Sequence, residues 1–141
     1  MKNILIFCAA TAESLPPSSH ELLAVGRTLG RQLEGANVRA VLIGSDVEKH
    51  GEALVQRGAD QVLVASHPRL EHHEGEVMLG AMEMIVQQPP PAVILFPHDE
   101  LSGGHIAPRL AYRLGTGIVT DCTGFDVKNG AIRWIRPVYG G

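Results

Sequence analysis

Apolar residues recur along the chain with two alternating spacings. Asn3–Cys8 is an apolar run of the kind that fills a strand covered on both faces. Leu22, Val25, Leu29 and Leu33 then fall at helical spacing, after Ser18 and Glu21 in capping-box register and before Gly35 as a stop. Gly26 and Gly30 lie four apart in that segment, which suits close approach to a neighbouring element, since neither favours a helix by itself. Val38–Ile43 predicts a second strand ending at Gly44. Ser45 and Glu48 form another capping-box pair ahead of a short helix through Ala53, Leu54 and Val55 that stops near Gly58. Gln61–Val64 predicts a third strand.

Beyond the His67-Pro68 loop, Val77, Met78, Ala81, Met82 and Ile85 form the stripe of a third helix, which Pro89, Pro90 and Pro91 must end. Ala92–Phe96 predicts a fourth strand, and Ile106, Leu110, Ala111 and Leu114 a fourth helix stopped by Gly115. Ile118 and Val119 predict a short fifth strand. Phe125–Val127 and Ala131–Ile135 flank Lys128-Asn129-Gly130, and Asn-Gly is a strong two-residue hairpin signal. Strands alternating with helices predict a three-layer α/β/α sandwich with a mostly parallel, Rossmann-like sheet, which the terminal β-hairpin completes.

The chain has 141 residues, 45% hydrophobic and 19% charged, which is enough for one packed domain over residues 1–141. A net charge of −3 and no run of basic residues argue against nucleic acid or an anionic membrane as partner. The apolar runs are far shorter than the ~20 residues that span a bilayer. Cys8 and Cys122 do not form a CxxC pair and read as reduced thiols of a cytoplasmic protein.

Candidate chemistry is sparse. Neither a Gly-x-Gly-x-x-Gly after the first strand nor a phosphate-binding Walker loop is present. Ligands of open α/β sheets sit at the carboxyl ends of the strands, so Cys8–Ser14, Gly44–Asp46 and Pro97–His105 are the segments to watch. Within the last, Ser102, Gly103, Gly104 and His105 open the fourth helix and form a candidate nucleotide loop whose N–H groups can meet an anion. Asp99 and Glu100 oppose that reading, because carboxylates repel phosphate. His72 with Glu76 has metal-pair spacing, but so do many solvated helix faces. Ser102 near His105 and Cys122 near Asp121 lack the surroundings of a hydrolase. No metal site and no catalysis are expected.

The run Ala107-Pro108-Arg109-Leu110-Ala111-Tyr112-Arg113-Leu114-Gly115-Thr116-Gly117-Ile118-Val119-Thr120-Asp121-Cys122 resembles the alpha subunit of electron-transfer flavoprotein. Arg136-Pro137-Val138-Tyr139-Gly140-Gly141 and Gly58-Ala59-Asp60 resemble it too. The resemblance implies an amino-terminal domain that docks on a beta subunit of the same fold, which carries AMP. It also implies FAD in a separate carboxyl-terminal domain of the alpha subunit, with electrons arriving from dehydrogenase donors and leaving towards the respiratory chain. By that resemblance this chain, lacking the flavin domain, binds no FAD tightly on its own and is either an excised domain or the product of a split gene. Arg109, Thr120, Asp121 and Cys122 match the family pattern. Gly103-Gly104-His105 departs from it, since relatives carry Gly-Arg-Asp there. Trp134 and Tyr139 are candidate interface anchors, with burial in the core an equal reading for Trp134. A free-standing adenine-nucleotide-binding module using the Pro97–His105 loop is the alternative.

Overall fold

A computed structural model describes residues 2–87 and 89–137. The main sheet has four strands, all parallel, in the order β3-β2-β1-β4, with β1 at Asn3–Ala9, β2 at Asn37–Gly44, β3 at Gln61–Ser66 and β4 at Val93–Leu95. Four helices connect or follow them: α1 at Ser18–Gln32, α2 at Gly51–Gln56, α3 at Gly75–Ile85 and α4 at Ala107–Leu114. Because side chains alternate along a strand, β1 and β2 feed two cores. Ile4, Ile6, Cys8, Val38, Ala40 and Leu42 meet Leu23, Leu29, Leu33 and Leu54 from α1 and α2. Leu5, Phe7, Val41 and Ile43 meet Met78, Leu79, Met82 and Leu110 from α3 and α4. Helices therefore cover both faces, as the apolar runs predicted.

The glycine pair on α1 explains why its buried face differs from the predicted one. A Cβ at Gly26 would lie 2.9 Å from Ile6 Cδ1, and one at Gly30 would lie 3.0 Å from the Ala36 carbonyl oxygen. That close approach turns Leu23, Gly26, Leu29 and Gly30 inwards and leaves Val25 37% exposed. Neither predicted capping box forms. The carbonyls of Pro16 and Pro17 take the N–H groups of Ser19 and His20 at 3.0 and 3.2 Å, so Pro17 is the cap and Ser18 already helical. Near Ser45 the Asp46 N–H donates to Ser66 Oγ at 3.1 Å, and Glu48–His50 form a 3₁₀ turn before α2. Of the residues predicted to fill α2, Leu54 is buried, while Ala53 and Val55 face solvent.

The predicted stop at Gly115 is met, with a left-handed φ of 66°. The Asn129-Gly130 turn is met as well, both residues having positive φ (54° and 76°), as a type I′ turn demands. Two expectations downstream of α4 fail. Ile118 and Val119 belong to no strand and are 42% and 45% exposed, because the chain leaving Gly115 runs past the β4 edge without pairing with it. The hairpin, β5 at Gly124–Lys128 and β6 at Ala131–Ile135, forms its own antiparallel sheet and does not complete the main one. Its Phe125, Val127, Ile132 and Trp134 pack against the α1-side core. Tyr139 lies outside the described residues.

Candidate functional site

The strand order places the direction switch between β1 and β4. From β1 the chain crosses through α1 to β2; from β3 it returns through α3 to β4 on the other side of β1. Loops leaving β1 and β4 diverge there, and a cleft of about 360 Å³ opens between them, lined by Phe7, Cys8, Ala9, Pro16 and Ser18 on one side and Pro97, Asp99, Glu100, Leu101 and Ser102 on the other, with His73 at its edge.

The β1–α1 loop is held from three directions. Ala10 donates its N–H to the Ile43 carbonyl at 3.0 Å. The Ala10 carbonyl accepts from His73 Nε2 at 2.8 Å, and the next carbonyl, Thr11, accepts from His50 Nε2 at 2.9 Å. Gly44 must be small here, since a Cβ would run into the Ala10 carbonyl. His73 holds its position from a left-handed backbone, φ 50°. Neither histidine's bond to the loop was legible in the sequence: their roles arise where three loops meet, and no local pattern encodes that. Beneath the loop, burial pushes the Cys8 thiol up to about 11, with the Ser19 hydroxyl pulling slightly the other way.

The four candidate residues of the fourth helix do not converge. The chain enters α4 through a π-helical turn, Ser102–Ile106. The Ser102 N–H donates to Asp99 Oδ1 at 2.6 Å and the Gly104 N–H to the Asp99 carbonyl at 2.9 Å. Those donors are thereby occupied within the loop. Ser102 lines the cleft, whereas Gly103 packs on the Pro97 carbonyl and borders a second cavity described below. His105 turns away, against Gly75 and 3.4 Å from Arg109 Nη1, so Ser102 and His105 form no nucleophile–base pair.

Of the family-matched residues, Arg109 and Asp121 have charged or ionisable partners. Arg109 binds the Glu76 carboxylate, and Arg113 bridges to Glu83 at 2.8 Å and Glu76 at 3.3 Å, which ties α4 to α3. Glu76 is thus spent on arginines, and the sequence pair His72 and Glu76 does not assemble. Among the described residues no group of three or more potential ligands can hold a metal ion. The Asp60 carboxylate accepts the Val38 N–H at 2.9 Å, joining the start of β3 to β2. Asp121, with φ 56°, lies 3.3 Å from His98 Nε2. Cys8 is buried and Cys122 exposed, both free thiols. Burial raises the Cys122 thiol, with Arg136 opposing the rise and Asp121 adding to it.

Behind the cleft, along the free edge of β4, runs a groove of about 1490 Å³. Its floor is Val93–Phe96, its walls are Leu22 and Val25 of α1 and Leu110 and Leu114 of α4, and Ile118, Val119 and Trp134 close its far side. β4 lies between two layers of helices yet is only half-buried, because its outer edge is uncovered. No helix among the described residues is long and apolar enough to cross a membrane.

A flavin carries a pyrophosphate, and the residues present do not fit one. No lysine or arginine lines the cleft, the Ser102 and Gly104 N–H groups are taken by Asp99, and Asp99 and Glu100 face it.

Residues 4–141 match the family model described as the electron transfer flavoprotein domain. The chain is 38% identical over 141 residues to the electron transfer flavoprotein subunit alpha of Thermoanaerobacterium thermosaccharolyticum, covering 99% of this chain and 42% of the relative. The subunit alpha of Bacillus subtilis is 31% identical over 140 residues, with the same coverage. Subunit LctC of lactate dehydrogenase (NAD(+),ferredoxin) from Acetobacterium woodii is 30% identical over 141 residues, covering 99% of this chain and 33% of that protein. The chain spans less than half the length of these relatives.

Proposed function

The chain belongs to the electron transfer flavoprotein family, and on that premise we propose that it is the amino-terminal scaffold and docking domain, residues 1–141, of a cytoplasmic alpha subunit. It supports electron transfer from dehydrogenase donors to the respiratory chain through FAD held elsewhere in the assembly, and its partner is the beta subunit, which carries AMP. It performs no catalysis of its own. In such an assembly the flavin supplies the redox chemistry, and this chain's residues supply a rigid platform.

The observation that carries this reading is the open groove beside β4. A parallel strand set between helices is normally covered along its length, and an apolar face of this size on a soluble domain marks an interaction surface. We assign the flavin-carrying remainder of the subunit to the groove, because the relatives devote more than half their length to polypeptide that this chain does not span. Arg136 and Pro137 already line the groove, so the hairpin delivers the chain to its mouth. The occupied loop donors and the two carboxylates weigh against a free-standing adenine-nucleotide module.

Affinity purification of the chain from its own cells tests the proposal. A yellow complex containing a beta subunit is expected. A colourless chain that elutes alone at every protein concentration sinks it.

A further inference from the structure

A groove can hold a partner through side chains alone or through backbone pairing, and this one is built for pairing. Resting on the docking role proposed above, we infer that the flavin-carrying remainder of the subunit inserts one β-strand between β4 and the Gly117–Thr120 segment, paired along the uncovered edge of β4. On its inner side β4 pairs with β1 through Ile4 with Val93, Leu5 with Ile94 and Ile6 with Leu95; on its outer side it meets no strand among the described residues. Sheet edges that stay open to water are normally blunted by a charge, a proline, a bulge or a covering element. Val93-Ile94-Leu95 contains no charge and no proline, and it floors the groove.

The far wall of the groove has strand character without a strand's neighbour. Ile118 and Val119 are β-branched and belong to no regular structure, and the N–H groups of Ile118, Val119 and Thr120 make no hydrogen bond among the described residues. One strand lying about 4.8 Å from each side serves both edges at once. The unpaired edge of β4 and the strand-like segment opposite it then have a single cause. The walls set the composition of the incoming strand. Val93 and Leu95 pack on the α1-side core, Ile94 and Phe96 on the core under α3 and α4, and Leu22 of α1 and Leu110 of α4 line the groove on the corresponding sides. A strand inserted there is covered on both faces, so it must be an apolar run of about five residues, like β1 and β2, rather than an alternating one. A second copy cannot offer its own β4 for the purpose, because that strand lies at the floor of the same groove.

Amide hydrogen exchange at single-residue resolution, on the native assembly and on the isolated chain, tests the inference. The β4 amides that point to β1 should be slow in both. Those that point to the groove should be fast in the isolated chain and about a hundredfold slower in the assembly, together with amides of Ile118–Thr120. Ile118→Pro and Val119→Pro each remove an N–H that makes no hydrogen bond in the chain, so the isolated variants should keep their denaturation midpoints. One of the two should weaken the assembly about tenfold and the other much less, since successive N–H groups of a strand point to opposite sides. An assembly in which β4 and Ile118–Thr120 exchange as fast as in the isolated chain overturns the inference and leaves the docking role standing. A chain that forms no assembly overturns both. Protection of the β4 edge in a dimer of the isolated chain gives that edge to a second copy and likewise overturns the inference.

Discussion

The cleft and the groove share β4 and the entry to α4, yet they are built on opposite plans. The cleft is small, has a carboxylate rim, and is bordered by a loop tied down through Ala10 and Thr11. The groove is about four times larger, lined largely by apolar residues from Ala and Pro to Leu, Val and Trp134, with one wall, Thr116–Thr120, in no regular structure. A small polar ligand needs few groups in fixed places, so its site must be rigid before the ligand arrives. A polypeptide brings its own backbone donors and apolar area, so its site needs only shape and an uncovered edge. The difference teaches that rigidity, more than position on the sheet, separates the two surfaces.

That contrast can be broken from the cleft side first. Gly44→Val pushes a side chain into the Ala10 carbonyl, and denaturant titration should show a loss of about 3–4 kcal/mol. The groove residues do not touch this point, so the loss should come with no change in groove-dependent assembly per folded molecule.

Raising the pH attacks the cleft floor next. Cys8 sits at about 11 when folded against 9.0 when free. Below pH 9 both states hold the proton and stability is unaffected. Between about 9 and 11 the unfolded chain loses the proton more readily, so stability falls, by about 2–3 kcal/mol in all. Denaturant midpoints at pH 8 and pH 11 check this, and Cys8→Ala should remove most of the slope.

His73→Ala removes the bond to the Ala10 carbonyl and should cost about 1–2 kcal/mol. Faster hydrogen exchange confined to Ala10–Ser14 would be its signature, and an unchanged exchange pattern would show that the loop is held without it.

The smallest effect belongs to the groove. Val25→Glu lies on an exposed wall and should change the stability of the isolated chain by no more than ~0.5 kcal/mol. In the native assembly the same change should abolish co-purification, because a charge then faces the covered edge. A large loss of stability in isolation would mean that the wall is already packed.

The sandwich was legible because β1 and β2 are buried on both faces and therefore read as apolar throughout, and because Gly115 and Asn129-Gly130 adopt backbone that few other residues accept. Features decided by one segment meeting another were not. Ser18 and Ser45 carry capping-box spacing, but the helical segments begin from other residues, Pro17 capping α1 and Val47 the 3₁₀ turn, so neither serine stands at a cap. Ile118 and Val119 have strand composition, yet a strand is made by its neighbour, and the chain does not approach β4 closely enough to pair. In the Pro97–His105 loop the sequence located the approach to α4, and Asp99 then decided which of its N–H groups remained available. Of its four candidates only Ser102 reaches the cleft.

The two histidine bonds on the β1–α1 loop span 39 and 63 residues of chain. Contacts that close such long loops form late, after their entropy has been offset by nearer ones. A nascent chain stalled before β3 has docked can hold β1, α1 and β2 together with the ties from Ile43 and His50, yet the His73 bond and the cleft's Pro97–Ser102 wall are still missing. The cleft takes its full outline only in the last stage of folding, which makes its shape a read-out of completeness.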